Sequence, residues 1–201
     1  MHKTMKSTTM IKLLLVIALF SQPLLGTAKP FLDQVLDVSG KKLRVDADYY
    51  IIPANGGEIS LESSIGEPCP LHVVVVKRSQ GFPLRIAPVK GAIRVSTDLN
   101  IMLANYDSRC PNYSVVWKID PFLKEETFVT TNGLLGHPGS NSIQSWFKIE
   151  KYEDAYKLVY CPSVCPSCKH VCKDIGTYVY KKREMRLALT NVPLKIKFQE
   201  T

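Results

Sequence analysis

Four of the six cysteines fall in one short stretch near the C-terminal end of the chain, and this cluster limits what the chain can fold into. They are Cys161, Cys165, Cys168 and Cys172, with three, two and three residues between them. Three chemistries use cysteines this close together: a tetrahedral metal site, a reactive Cys-x-x-Cys redox pair, or two nested disulfides. The redox environment of the chain decides among them, and the N-terminal segment carries the information about that environment.

Residues 1–28 have the features of a secretory signal peptide. Three lysines make the start basic, Ile11–Phe20 is apolar apart from one of those lysines, and Gly26-Thr27-Ala28 supplies the small residues of a cleavage site. The apolar run is shorter than the about 20 residues that a bilayer-spanning helix needs. We therefore expect residues 29–201 to form a single secreted domain without a membrane partner, extracellular or in the cell wall or vacuole.

Secretion would place the cysteines in an oxidising compartment, where disulfides are the usual state. Cys69 and Cys110 lie far from the cluster in sequence, so we expect them to pair with each other. The four clustered cysteines nest most simply as an outer Cys161–Cys172 bridge and an inner Cys165–Cys168 bridge.

The two other chemistries stay open as alternatives. A zinc site could recruit His170, but structural zinc sites usually separate their ligand pairs by a longer spacer. A redox-active Cys165-Pro166-Ser167-Cys168 would normally open a helix that lowers one thiol pKa, and no amphipathic pattern follows this motif. We therefore predict no metal and no cofactor.

The rest of the chain is predicted to form short strands separated by turns, with no helical period of useful length after residue 36. The predicted strands are rich in β-branched or aromatic residues and are bounded by Gly, Pro, Asn or Asp. They are Tyr49–Pro53, His72–Lys77, Leu84–Ala87, Ile93–Val95, Asn100–Ala104, Val115–Ile119, Phe128–Thr130, Trp146–Lys151, Tyr156–Cys161, Thr177–Tyr180, Arg186–Leu189 and Leu194–Phe198.

A weak internal repeat favours one all-β architecture. Segments near Tyr49, Val115 and Trp146–Tyr156 each carry an aromatic residue followed by an aliphatic and aromatic strand. Dividing residues 29–201 by three gives units of roughly 58 residues, each long enough for four short strands. This pattern suits a pseudo-threefold β-trefoil of 12 short strands stabilised by disulfides, with a β-sandwich as the alternative.

Composition and motifs exclude several functions. The formal net charge is +8, three of the lysines lie in the predicted signal, and the other basic residues are scattered, so we expect no nucleic-acid partner. No GxSxG, HExxH or phosphate-binding glycine loop is present, so we predict no enzyme activity. Asn112-Tyr113-Ser114 is a candidate glycosylation sequon. We expect a monomer.

Several motifs, in order along almost the whole mature chain, resemble one protein family. The segment from Val35 places Asp37, Gly40, Leu43 and Tyr49-Tyr50 at characteristic spacings. The later motifs are Pro68-Cys69-Pro70-Leu71, Ser96–Ile101, Tyr113–Trp117, Trp146–Ile149, Tyr156–Pro162, Asp174–Gly176 and Arg186–Leu189. Together they resemble the plant Kunitz-type (soybean trypsin inhibitor) family, in its miraculin-like branch.

The resemblance implies a β-trefoil with Cys69–Cys110 and Cys161–Cys172 as family bridges and Cys165–Cys168 as the extra bridge of that branch. It also implies a secreted inhibitor of serine endopeptidases that presents a substrate-like loop to the protease. That loop aligns with residues 87–95, and its members are Pro88, Val89, Lys90, Gly91, Ala92, Ile93 and Arg94.

The residue that enters the protease specificity pocket, P1, has two candidates. Counting forward from Pro88 gives Lys90, which suits a trypsin-like pocket with an acid at its base. Counting back from Ile93-Arg94 gives Ala92, which suits an elastase-like or subtilisin-like pocket. A trypsin-like or subtilisin-like serine endopeptidase is therefore the expected partner.

One departure from the family pattern favours alternatives. Soybean-type members carry an asparagine that hydrogen-bonds the loop from inside, and here that position is Val45. Without that support, the chain could be a non-inhibitory binding or storage protein on the same scaffold. It could also inhibit cysteine or aspartic proteases through another loop.

Overall fold

A computed structural model describes residues 32–64, 67–77, 81–106, 110–120, 126–181 and 184–201. The predicted signal, residues 1–28, lies outside the described residues. These residues form twelve strands and one short 3₁₀ helix, Ser140–Ser145. The strands are β1 Asp48–Pro53, β2 Glu58–Ser64, β3 Glu67–Val76, β4 Leu84–Pro88, β5 Leu99–Leu103, β6 Lys118–Asp120, β7 Phe128–Thr130, β8 Lys148–Tyr152, β9 Ala155–Tyr160, β10 Lys173–Tyr180, β11 Glu184–Thr190 and β12 Ile196–Glu200.

Six of the strands close into a ring. Antiparallel pairings join β1 to β4, β4 to β5, β8 to β9, β9 to β12 and β12 to β1. The ring closes between β5 and β8 through a bridge that joins Leu99 of β5 to Phe147, the residue just before β8. Closure leaves no open edge among these strands, which removes the unpaired backbone that an open sheet would expose.

The other six strands form three hairpins that cap one end of this barrel. The hairpins are β2–β3, β6–β7 and β10–β11. One strand of each meets the other two hairpins, through the pairs β3–β7, β7–β11 and β3–β11. Each third of the chain therefore supplies four strands, two to the barrel and two to the triangular cap. This is the architecture of a β-trefoil, as the sequence predicts.

The hydrophobic core fills the barrel with large side chains. Trp117, Phe147 and Phe198 have no exposed surface, and Trp117 meets Phe147 edge to face at a centroid distance of 6.5 Å. Burial of an aromatic side chain contributes about 2–3 kcal/mol relative to exposure, so these rings fix the register of the strands that carry them. The inward positions alternate with outward ones, as in β1, whose buried residues include Tyr49 and Ile51.

Most predicted strands have a counterpart in the structure, but one predicted strand is wrong and two elements were not predicted. Ile93–Val95 is not a strand and makes one isolated bridge, between Arg94 and Gln34. Glu58–Ser64 is a full strand that the sequence analysis did not predict. The 3₁₀ helix Ser140–Ser145 was not predicted from the sequence either.

Candidate inhibitory loop

The loop between β4 and β5 starts from two adjacent barrel strands. Pro88, at the end of β4, pairs with Leu99, at the start of β5. One residue further, the Val89 amide donates to the Asp98 carbonyl at 2.8 Å. The base of the loop is therefore held by the same hydrogen-bond ladder that builds the barrel.

The first half of the loop projects into solvent. The side chain of Val89 is 43% exposed, and Lys90 and Gly91 are also exposed. Gly91 has a φ of +65°, in the left-handed region that glycine adopts at no steric cost. A Cβ added there would meet nothing within 4 Å, so the glycine is required by its backbone angle and not by crowding.

The second half of the loop turns into the protein. Ala92 is half-buried, Ile93 has no exposed surface, and Val95 is 9% exposed. The Ile93 carbonyl accepts from the Val35 amide at 3.2 Å, and the Val95 amide donates to the Asp33 carbonyl at 2.9 Å. The N-terminal segment thus anchors the loop from one side.

Arg94 adds a second attachment to the same segment. Its Nη1 donates to the Leu32 carbonyl at 2.6 Å, and its own carbonyl accepts from the Thr97 hydroxyl at 2.7 Å. Asp33, in this segment, forms an ion pair with Lys151 of β8. The hydrogen bond and charge of Lys151 lower the pKa of Asp33, and the partner carboxylate raises the pKa of Lys151. Both side chains are exposed, so the pair orients the segment more than it stabilises the fold.

Asp98 joins the loop to the disulfide cluster. Its side chain is 7% exposed, and its Oδ1 accepts from the Ser163 amide at 3.0 Å. Ser163 lies inside the segment closed by the Cys161–Cys172 bridge. A buried carboxylate needs such donors, because removing it from water without them is costly. The far base of the loop is therefore fixed by a cross-linked part of the chain.

The structure contains three disulfides, Cys69–Cys110, Cys161–Cys172 and Cys165–Cys168, the same pairs that the sequence analysis predicts. Among the described residues, one group has metal-ligand proximity: Cys161, His170 and Cys172, with ligand atoms within 4.8 Å of one another. Two of its three ligands are joined in a disulfide and offer no thiolate, so the group does not fit zinc in this state.

The Cys69–Cys110 bridge also encloses the whole candidate loop. Cys69 precedes the loop and Cys110 follows it, with a sequence separation of 41. A cut anywhere in residues 87–95 would therefore leave both pieces covalently joined. A chain cleaved in this loop would therefore remain one covalent molecule.

The remaining predicted positions lie outside this contact network. Val45 is 48% exposed and has no polar side-chain atom to support the loop. Asn112 is exposed in a turn that the Tyr113 amide closes by donating to the Cys110 carbonyl at 2.9 Å. The part of the chain that the structure describes contains no helix with the length and hydropathy of a membrane span.

One residue important for the site is not among the predicted site residues. Asn100, in β5, is 1% exposed; its Nδ2 donates to the Ser145 carbonyl and its Oδ1 accepts from the Gly136 amide, both at 2.7 Å. Its signal in the sequence is slight, a polar residue inside an apolar strand next to Asp98. Its partners lie 36 and 45 residues away, so only the fold reveals them.

The family profile and the related sequences that match this chain agree on one family. The family profile described as "Trypsin and protease inhibitor" (Kunitz_legume) matches residues 35–200. The chain is 36% identical over 217 residues to miraculin from Synsepalum dulcificum, covering 98% of this chain and 99% of that protein. It is 33% identical over 201 residues to Kunitz trypsin inhibitor 5 from Arabidopsis thaliana, covering 96% and 98%.

Solved structures give the same fold. The Kunitz-type cysteine protease inhibitor PCPI-3 from potato matches with a TM-score of 0.74 and 34% identity, covering 85% of this chain and 98% of that chain. Soybean trypsin inhibitor matches with a TM-score of 0.68 and 26% identity, covering 84% and 100%. The β-trefoil prediction is thereby confirmed.

Proposed function

The chain belongs to the Kunitz_legume family of trypsin and protease inhibitors, and from this membership we propose that it is a secreted inhibitor of serine endopeptidases. It presents the β4–β5 loop to the protease active site and has no enzyme activity of its own. The supporting observation is the loop itself: an exposed tip, Val89 to Gly91, between two bases that are hydrogen-bonded to the barrel, the N-terminal segment and the disulfide cluster. Because the loop is ordered before binding, association loses little conformational entropy.

Within this proposal, Lys90 is P1 and the bond presented to the protease is Lys90–Gly91. Both residues are exposed, so the bond can reach a catalytic serine without rearrangement. The alternative bond, Ala92–Ile93, would require Ile93 to leave the core, where it has no exposed surface. Extracting a buried isoleucine costs about 1.5–3 kcal/mol, which would weaken binding by about ten- to a hundredfold.

The enclosing disulfide explains how such a loop resists hydrolysis. After attack at Lys90–Gly91, Cys69–Cys110 and the hydrogen bonds at the loop bases hold both new ends in place. The leaving amine stays beside the acyl group, so resynthesis of the bond competes with release. Slow, reversible cleavage is the expected behaviour.

The test is a titration of trypsin, chymotrypsin, elastase and subtilisin with the refolded mature chain and matched variants. Lys90→Ala should lose at least a hundredfold in affinity for trypsin, whereas Lys90→Arg should retain it. Lys41→Ala removes an exposed lysine outside the loop and should change nothing. Absence of inhibition of all four enzymes at micromolar concentration would contradict the proposal. Full trypsin inhibition by Lys90→Ala would remove Lys90 as P1.

A second candidate function rests on Val45. Because this side chain is 48% exposed and cannot hydrogen-bond the loop, the loop lacks one support, which favours a non-inhibitory binding or storage protein. Two of the relatives, miraculin and the 21 kDa seed protein of Theobroma cacao, carry names that do not describe an inhibitor. Inhibition of cysteine or aspartic proteases through another loop is the remaining variant, in line with the potato relatives. Assays with papain and a pepsin-type enzyme, with a glycan array, separate these functions from serine protease inhibition.

A further inference from the structure

A second exposed feature flanks the inhibitory loop: two adjacent leucines in the segment 133–139, called here the 133–139 loop. Leu134 is 53% exposed and Leu135 is 48% exposed. Among the residues that the structure describes, they are the one pair of exposed large apolar residues adjacent in sequence; the other exposed leucines, Leu32 and Leu36, and the exposed valines are not adjacent to another. Contiguous apolar surface can mark a contact site, whereas singly exposed apolar residues are ordinary.

The 133–139 loop is rigid, so this exposure is a fixed property of the fold. The Leu134 amide donates to the Ser145 hydroxyl at 2.9 Å, and the Gly133 amide donates to the Val116 carbonyl at 2.8 Å. Gly133 packs so closely that a Cβ would lie 2.4 Å from the Trp117 carbonyl oxygen. The backbone on both sides of the leucines is therefore hydrogen-bonded to the rest of the fold, which reduces the entropy lost on binding.

The fold places this loop next to the inhibitory loop. Asn100 accepts from the Gly136 amide through its side chain, and its backbone pairs with Ala87 in the β4–β5 ladder. Ala87 is one residue before Pro88, where the inhibitory loop begins. One buried side chain thus separates the 133–139 loop from the base of the inhibitory loop.

The size of a protease complex requires surface beyond the tip. A stable interface buries about 800 Å² on each partner, over roughly 20–30 residues. The projecting tip consists of three residues, Val89, Lys90 and Gly91, which cannot supply that area. Additional contacts must come from neighbouring surface at the same end of the barrel.

We infer that Leu134 and Leu135 form an exosite that packs against an apolar surface of the bound serine endopeptidase, outside its specificity pocket. This inference rests on the proposed function, because the protease reaches the exosite only when it holds the inhibitory loop. The exosite contributes affinity and selectivity between proteases with the same P1 preference, because their surfaces differ outside that pocket. Its effect is mainly on the rate of dissociation.

The test compares Leu134→Ser/Leu135→Ser with a matched double variant, Val179→Ser/Val192→Ser. The control residues are 59% and 76% exposed and lie outside both loops. Against the protease that the wild-type chain inhibits best, we expect the leucine variant to dissociate at least tenfold faster and the control variant to behave like the wild type. Thermal unfolding of both variants should match the wild type, because all four residues are between 48% and 76% exposed.

A second readout separates a lost contact from a softened inhibitory loop. A lost contact raises the dissociation rate but leaves the rate of Lys90–Gly91 cleavage within the complex unchanged, whereas a softened loop would be cut faster. The single variant Leu135→Asn should show part of the same loss. Equal dissociation rates for wild type and leucine variant, or faster cleavage in that variant, would overturn the exosite alone. Failure of the wild-type chain to inhibit any serine protease would instead overturn the proposed function.

Discussion

At the scale of single residues, the sequence indicates which side chains are chemically able to act but not which are accessible. The sequence gives Lys90 as the candidate for P1 and Ala92 as the alternative, and the burial of Ile93 supports the proposal that P1 is Lys90. That burial depends on contacts with residues near Val35, almost 60 positions earlier, which no local pattern records. In contrast, the predicted nesting of Cys165–Cys168 inside Cys161–Cys172 matches the structure, because four closely spaced cysteines allow few pairings.

Gly91 gives a residue-scale prediction about the tip. Its φ of +65° is costly for a β-branched residue and tolerable for asparagine. Gly91→Val should therefore distort the tip and weaken trypsin inhibition by about tenfold, since about 1–2 kcal/mol of strain opposes the bound conformation. Gly91→Asn should stay within a few-fold of the wild type. Inhibition constants of the two variants give the answer, and equal values would show that the left-handed angle is not needed in the complex.

His72 gives a residue-scale prediction about pH. It is 7% exposed, its Nε2 accepts from Arg186 Nη1 at 3.1 Å, and burial together with the positive charge of Arg186 lowers its pKa from 6.5 to about 4. Glu184 beside Arg186 and Asp120 of β6 act in the opposite direction but do not cancel these effects. The folded state thus binds this proton less readily than the unfolded state. The contribution of His72 to the free energy of unfolding should be fully present above pH 6.5. It should be lost as the pH drops from 6.5 toward 4, which lowers the free energy of unfolding by up to about 3 kcal/mol.

Urea unfolding between pH 7 and pH 4 measures this loss. His72→Gln keeps an acceptor for Arg186 and removes the titration, so its stability should change less over that interval. His170→Gln, at an exposed position, should retain the wild-type pH dependence. Parallel profiles for wild type and His72→Gln would show that other groups cause the acid sensitivity.

At the scale of elements, alternation and β-branched content identified most strands, including Phe128–Thr130 with its observed limits. These two signals failed where the neighbouring segment determines whether a stretch of chain pairs as a strand. Glu58–Ser64 is rich in Glu and Ser and has low intrinsic β-propensity, yet it pairs along its length with β3. Ile93–Val95 has high propensity, yet its bridge partner, Gln34, lies in the irregular N-terminal segment and not in a strand, so an isolated bridge forms. Pairing is a property of the assembled barrel and cap, and short segments do not encode it alone.

The link between the two exposed loops gives an element-scale prediction. Asn100→Ala removes the hydrogen bonds to the Ser145 carbonyl and the Gly136 amide, leaving both without that partner. We expect the free energy of unfolding to fall by about 1–3 kcal/mol and protease inhibition to weaken, because the base of the inhibitory loop shares this residue. Asn191→Ala, at an exposed position, is the matched control. Urea unfolding together with inhibition constants tests the link, and an unchanged stability would contradict it.

At the scale of the whole molecule, the barrel, the cap and three disulfides hold the inhibitory loop in position. In the chain-entropy model the stabilisation by a disulfide grows with the loop it closes. Cys69–Cys110 spans 41 residues and Cys165–Cys168 spans 3, so the model gives about 4 and about 1.6 kcal/mol. The double variant Cys69→Ser/Cys110→Ser should therefore lose more stability than Cys165→Ser/Cys168→Ser. Urea unfolding without reductant compares the two, and a reversed order would mean that the long bridge does not limit the unfolded chain.

We propose that a serine endopeptidase cleaves the Lys90–Gly91 bond slowly, because the fold holds both sides of this bond in position. The most direct test of this proposal is mass spectrometry of the mature chain after prolonged incubation with a catalytic amount of trypsin. We expect one hydrolysed bond. Without reductant the cleaved chain should remain a single molecule, because Cys69–Cys110 spans the cut. After reduction it should give two pieces, the first ending at Lys90 and the second beginning at Gly91. Cleavage at another bond, or digestion into many fragments, would contradict the proposal.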